Sequence, residues 1–335
     1  MDETRKLQYN ATNRGFVMPL YRALENGMYR LLRIASLWTI LLVGLVACSQ
    51  PDYPTVRLNV EAQGAVVAAD RAPGRLPLRV AVAAVISPKA TFNTYSPLLD
   101  YLARRLDRPV ELLQRSTYAE INELLRTGQA DVGFVCGGAF VEGEREGYME
   151  LLVVPEIGGE TTYQSLIIVP AGSPARRLTD LRGRRFAFSD PLSNSGRLYV
   201  QYRLAQMDET PETFFGETIY TYSHDNSIHA VAENIVDGAS VDSLVFEALL
   251  RAEPDLTTRL QVIERSPSFG IPPVVVHPAL DASLKDALRQ ALLDMHTDPH
   301  GLQALTILHV DRFVPPDPAA YEDIRHMAAQ VRGWR

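Results

Sequence analysis

Phe186-Ala-Phe-Ser-Asp-Pro-Leu-Ser-Asn-Ser-Gly196 reads as a short apolar strand, a tight turn at Asp190-Pro191, and the opening of an amphipathic helix that runs on toward Met207. A strand that passes through one turn into a helix is the building unit of an α/β protein. The first turn of any helix has unpaired backbone N–H groups and a partial positive potential. Here Ser193, Asn194 and Ser195 set three donor side chains beside those groups, and Gly196 has no Cβ to block approach. The segment fits an oxyanion cradle. A plain Ser N-cap with polar neighbours fits the same spacing.

The alternation repeats on both sides of this unit. Upstream, the pattern predicts strand Leu78–Ile86, helix Tyr95–Leu106, strand Pro109–Leu113, helix Tyr118–Thr127 and strand Ala130–Cys136. Strands Leu151–Pro155 and Ser165–Pro170 follow. Downstream, it predicts strand Thr218–Tyr222, helix Asn226–Val236, strand Ala239–Asp242, helix Leu244–Leu260, and strands Gln261–Glu264 and Pro273–Val276. Two helices, near Ser283–Asp294 and Ala319–Arg332, close the chain. This order implies mostly parallel sheets with helices on both faces, in two lobes: 76–168 plus 268–335, and 169–267. The chain would cross between them twice, near Pro170 and Ser266. A ligand belongs in the cleft, beside loops at the carboxyl ends of strands.

Two such loops hold further candidates. In Tyr222-Ser-His-Asp-Asn-Ser227, His224 is either a local hydrogen-bonder at a helix start or a ligand contact. Asp242, in Val241-Asp-Ser243, either caps the next helix or reaches the cleft.

The bulk numbers narrow the class. The chain has 335 residues, 46% of them hydrophobic and 22% charged, which suits a globular protein of about two domains. A net charge of −7 with no basic stripe argues against a nucleic-acid binder. Cys48 and Cys136 have unlike surroundings, so no disulfide framework is expected. Cys136 ends an apolar run and reads as a buried free thiol. Metal-binding patterns are absent, and His296, His300 and His309 read as surface residues; no cofactor is expected.

Leu37–Ala47, LWTILLVGLVA, has the length of a signal-peptide apolar region rather than of a membrane span, and Arg30 and Arg33 precede it. Leu45-Val-Ala-Cys48 looks like a bacterial lipoprotein box, which implies lipidation of Cys48 and loss of residues 1–47. A start at Met28 gives that signal ordinary proportions. Loss of 1–47 removes six Lys/Arg and three Asp/Glu and takes the net charge from −7 to −10. An anionic ligand would then be held by local donors, not by bulk attraction. Residues 48–75 read as a tether.

Eight segments in collinear order carry a resemblance: Tyr95-Ser-Pro-Leu-Leu-Asp-Tyr-Leu102, Thr117-Tyr-Ala-Glu120, Gly128-Gln-Ala-Asp-Val132, Tyr163 to Pro170, Asp190 to Gly196, Ser223-His-Asp-Asn226, Val236-Asp-Gly238, and Ser266 to Val276. Over about Leu76 to Arg332 the chain resembles the phosphate/phosphite/phosphonate substrate-binding proteins of ABC importers, which have the two-lobed type II periplasmic-binding fold. The resemblance implies that Ser193, Asn194 and Ser195 grip the oxyanion, that His224 donates from the same lobe, and that Tyr118 and Tyr163 close from the other. Asp242 is carried over with them, as acceptor of a P–OH proton. It also implies a monomer that delivers a small phosphorus oxyanion to a permease and ATPase complex from the periplasmic side of a membrane. Leu244 and Pro272 stand where relatives that bind aminoethylphosphonate have carboxylates, which favours phosphite, phosphate or a small phosphonate.

Hydrolysis by Ser195, His224 and Asp242 is disfavoured, because no G-x-S-x-G elbow is present. A binding protein that reports its ligand to a membrane sensor kinase is the rival role, since it would use the same cleft.

Overall fold

The computed structural model describes residues 65–67, 76–86 and 88–331. The signal segment, Met28, Cys48 and most of the expected tether lie outside the described residues. Among the described residues no helix is long and apolar enough to cross a membrane.

Fourteen strands are described: β1 (Ala65–Val67), β2 (Leu78–Val82), β3 (Val110–Gln114), β4 (Val132–Phe134), β5 (Glu150–Glu156), β6 (Thr162–Tyr163), β7 (Ser165–Pro170), β8 (Arg185–Phe188), β9 (Glu217–Tyr220), β10 (Gly238–Asp242), β11 (Leu260–Arg265), β12 (Phe269–Gly270), β13 (Val274–Val276) and β14 (Arg312–Val314). They form a seven-stranded sheet in the order β1-β3-β2-β4-β13-β5-β14, a five-stranded sheet β11-β7-β10-β8-β9, and the small ribbon β12-β6. The ribbon pairs Phe269 with Tyr163, so the two stretches that join the sheets run side by side.

The two-lobed α/β class stands, with two corrections. Parallel pairing is confined to β2 with β3 and β4, and to β8 with β9 and β10. β13, β5, β14, β7, β11 and β1 pair antiparallel, so the sheets are mixed rather than mostly parallel. The reason lies in the passages between sheets: a strand entered from the other lobe arrives without a βα crossover and is free to run the opposite way. In addition, β7 pairs with β10 and β11, so the first passage comes before Ser165 instead of near Pro170.

Each lobe has a core of its own, and a third cluster joins Ile121 and Phe140 on the first side with Ile167 and Phe186 on the second. Leu78, Val80, Leu98, Leu99 and Leu102 bury one face of the first sheet under the helix Pro88–Arg105. Ile228, Val231, Val241 and Phe246 do the same on the second. Central strands buried on both faces read as continuous apolar runs, and in β2 the one charged residue, Arg79, reaches out to Asp131 at 2.6 Å.

Several expected elements change length. β2 stops at Val82, leaving 83–86 as a loop, and Ala130–Cys136 narrows to β4 because a helix, Gly137–Arg145, follows at once. The expected helix Leu244–Leu260 breaks into Ser243–Ala252 and Leu256–Arg259, since Pro254 has no N–H to continue it. Helix Pro299–Leu308, β14 and β1 were not expected; β1 pairs with β3 inside the stretch read as tether. His296, His300 and His309 are exposed, as expected.

Candidate functional site

Five helices begin at one place. They open at Tyr118, Gly137, Asn194, His224 and Ser243, and the residues at or just before those starts face one another. The helix at Asn194 starts as a π turn over Asn194–Leu198 and becomes α only at Tyr199. A wide first turn of this kind leaves its N–H groups less completely paired.

Ser193, Asn194 and Ser195 are completely buried. Ser193 Oγ accepts the Gly196 N–H at 2.9 Å, so the expected Ser cap is present. Gly196 is required: a Cβ there would lie 1.8 Å from Ser189 Oγ. The carbonyl of Ser195 accepts hydroxyls from Ser165 at 2.7 Å and Ser240 at 2.6 Å, which pins the loop to β7 and β10. Ser165 is held in turn by Ser266 Oγ, which accepts its N–H at 2.8 Å. Sequence reasoning gave Ser165, Ser240 and Ser266 no part in the site, although for Ser165 and Ser240 a hydroxyl inside an apolar strand was the available signal.

The seven residues expected around the ligand lie near one another. Asn194 Nδ2 donates to Tyr163 Oη at 3.0 Å. His224 Nε2 lies 3.4 Å from Ser193 Oγ, and the Asp242 N–H donates to His224 Nδ1 at 3.1 Å. Asp242 Oδ1 accepts the N–H groups of Leu244 and Val245 at 2.7 and 3.3 Å, so it does cap the next helix. The Tyr118 N–H donates at 3.1 Å to Asp190 Oδ2, whose other oxygen accepts from Leu192 at 2.8 Å. The His224 N–H donates to the Val85 carbonyl at 3.0 Å. The bonds from Tyr118 to Asp190 and from His224 to Val85 join the first sheet's loops to the second's.

Burial sets the charge states. It lowers the His224 imidazole to about 4 and raises the Asp242 carboxyl to about 7. It also holds the hydroxyls of Tyr118 and Tyr163 well above their usual range and raises the Cys136 thiol. Cys136 Sγ lies 4.0 Å from Ser193 Oγ; this buried free cysteine forms part of the site floor, which its apolar sequence context did not announce.

Tyr118 Oη, Asn194 Oδ1 and Ser195 Oγ are buried with no hydrogen-bond partner. An orphaned buried polar atom costs about 1–3 kcal/mol, and such a cluster is accounted for by a guest that supplies partners. Chemically the site is a set of neutral donors around a helix start, suited to an oxyanion. It is unsuited to acyl transfer: His224 faces Ser193, not Ser195, and its Nδ1 accepts an amide N–H where a triad needs an N–H donated to a carboxylate. Leu244 and Pro272 border an adjoining cavity.

Comparison with known proteins identifies the family. Residues 80–321 match the family described as ABC transporter, phosphonate, periplasmic substrate-binding protein. A phosphonates-binding periplasmic protein of Escherichia coli is 25% identical over 210 residues, covering 61% of this chain and 62% of its own. A phosphate-import protein of Mycolicibacterium smegmatis is 27% identical over 207 residues, covering 58% and 64%. The matches thus span less than two thirds of either relative. The crystal structure of a binding protein component of an ABC phosphonate transporter from Pseudomonas aeruginosa superposes with a TM-score of 0.71 at 23% identity, over 76% of this chain and 86% of that one. With most of its length matched by one family and its fold shared with that structure, the chain belongs to the periplasmic phosphonate substrate-binding proteins of ABC transporters.

Proposed function

We propose that this protein captures phosphite, phosphate or a small phosphonate in the cleft around Ser193–Ser195 and delivers it to an ABC permease. The observation that carries the reading is the pair of orphaned hydroxyls of Tyr118 and Ser195, enclosed where five helices begin; the orphaned Asn194 Oδ1 beside them can only accept, as from a P–OH group. An anion there gains short charge-assisted bonds that neutral donors cannot make to one another. Ser193, Asn194, Ser195 and His224 present their groups from the second sheet's side, and Tyr118 and Tyr163 complete the enclosure. Contacts made by both sides stabilise the closed form, so ligand and closure are linked, and the permease reads the closed form.

In this reading the protein works as a monomer outside the cytoplasmic membrane, held there by lipid on Cys48 after residues 1–47 are removed. The family is one of substrate-binding transport proteins, and in this reading the site holds its ligand without changing it chemically.

Calorimetry of the purified protein against phosphite, phosphate, methylphosphonate and aminoethylphosphonate tests it. Saturable 1:1 binding of at least one of the first three is expected, with the amine-bearing ligand weakest. No heat from any of the four would overturn the proposal.

A further inference from the structure

Capture of an oxyanion makes no use of Cys136, yet its sulfur lies inside the enclosure. Sγ is 4.0 Å from Ser193 Oγ, across the junction of the lobes. Ala83, Tyr118 and Ala139 of the first lobe and Leu192 of the second pack with it, all buried. The sulfur is also near enough to the hydroxyls of Tyr118 and Tyr163 to act on the charge of both.

Two opposed influences act on this thiol. Cys136 is the N-cap of the helix Gly137–Arg145 and makes no side-chain cap hydrogen bond there. A helix start favours the thiolate, which is the reactive form. Burial opposes it and prevails while the lobes are together, raising the thiol although the amides of Asn194 and Gly138 pull it down. Leu192 and Ser193 supply part of that burial from the second lobe. Opening removes their share and wets the sulfur, and the helix start remains.

The groups around the sulfur decide what its oxidation does. The hydroxyls of Tyr118 and Ser195 are buried without partners. They suit an oxyanion that arrives from solvent, and equally one made in place on Sγ. Hydrogen peroxide supplies the oxygen: the thiolate sulfur attacks, the O–O bond breaks as an S–O bond forms, and water leaves, giving the sulfenic acid. A second peroxide repeats the step and gives the sulfinic acid, which loses its proton to solvent and carries a charge over two oxygens. An oxygen added to Sγ can enter only the 4.0 Å gap to Ser193 or the cradle itself.

We infer that Cys136 is a redox modification site that switches capture off: reached by a peroxide in the open form, its sulfur becomes a tethered oxyanion that takes the donors meant for the ligand. This rests on the proposed function, since it needs a cleft that opens and a ligand that closes it. The sequence has one other cysteine, Cys48, which the proposed lipid occupies. Two equivalents of a small external thiol therefore return the sulfenic acid to the thiol, leaving as disulfide and water, and the sulfinic form stays blocked.

Dilute hydrogen peroxide applied to the purified protein tests the inference. Peptide mass mapping follows oxygen gained at Cys136, and calorimetry with phosphite, phosphate and methylphosphonate gives the fraction still able to bind. That fraction should fall in step with oxidised Cys136, and dithiothreitol should restore the part that carries a single oxygen. Whichever of the three binds tightest, present at ~10 times its Kd, should slow the oxidation about 10-fold, because bound protein is closed. Cys136→Ser and Cys136→Ala, whatever their own affinities, should keep them through the same treatment, which separates the thiol from oxidised methionines. Binding that survives full oxidation of Cys136, a thiol that ligand does not protect, or equal loss in the variants would overturn the inference and leave the proposed function standing. If the untreated protein binds none of the three, both fall.

Discussion

The backbone N–H of Asp242 points at Nδ1 of His224, 3.1 Å away. An amide can only donate, so Nδ1 must accept, and the neutral ring carries its proton on Nε2. Nε2 is the nitrogen on the cradle side, 3.4 Å from Ser193 Oγ. Burial keeps the ring neutral by lowering it to about 4. His224 is thus a fixed one-proton donor, oriented from behind by the strand end that also starts the next helix.

Removal of that donor should weaken anion binding without unfolding the protein. A hydrogen bond to a charged group is worth about 1.5–3 kcal/mol, so His224→Ala and Ser195→Ala should each raise Kd roughly 10- to 100-fold. Calorimetry gives the affinity and circular dichroism confirms the fold. Unchanged affinity in both variants would place the ligand elsewhere.

The same pair predicts an unusual pH profile. Asp242 titrates near 7 when folded against about 3.9 unfolded, so the native state holds an extra proton in that range and stability falls as pH rises through it. His224 titrates near 4 folded against about 6.5 unfolded, so there the unfolded state holds the extra proton and stability rises with pH. Between pH 4.5 and 6.5 the two slopes oppose and nearly cancel. Asp242→Asn can still accept from Leu244 and Val245, and it removes only the falling part. Its stability slope over that window should exceed the wild type's by about 1.4 kcal/mol per pH unit, measured by urea denaturation. Parallel slopes would show that Asp242 is ionised throughout.

Gly196→Ala should be costly although glycine in a helix ordinarily is the poorer choice. A Cβ at 1.8 Å from Ser189 Oγ and 2.9 Å from Ser193 Oγ must displace the loop. Overpacking of this kind costs about 1–3 kcal/mol. The melting temperature should drop by several degrees and ligand binding should weaken with it, both readable from one thermal-shift titration. An unshifted melting temperature would mean that the loop yields freely.

Asp190 links the sheets by accepting from Tyr118, so Asp190→Ala should favour the open form. Small-angle scattering without ligand should show a larger radius of gyration than wild type, with the difference reduced at saturating ligand. Identical radii would assign Asp190 to the local turn alone.

Lipidation is testable independently of the cleft. Labelled palmitate should enter the wild type and not Cys48→Ser; equal incorporation would end the lipoprotein reading.

The fold class and much of the site could be read from the chain itself because both rest on local rules. Apolar runs at β8 and β10 followed by polar helix starts mark strand–loop–helix units, and Ser193, His224 and Asp242 sit at such junctions, where backbone donors are unavoidable. What the chain alone could not supply depends on distant contacts. The direction of β7 and β13 follows from entering each sheet from the other lobe. Cys136 becomes part of the site floor only because Gly137–Arg145 folds against the cradle loop, and Ser165 and Ser240 matter only because β7 and β10 lie side by side beneath Ser195. The charge states of His224 and Asp242 belong to the same group: their residue types name the proton, but only enclosure by both lobes decides which of them keeps it.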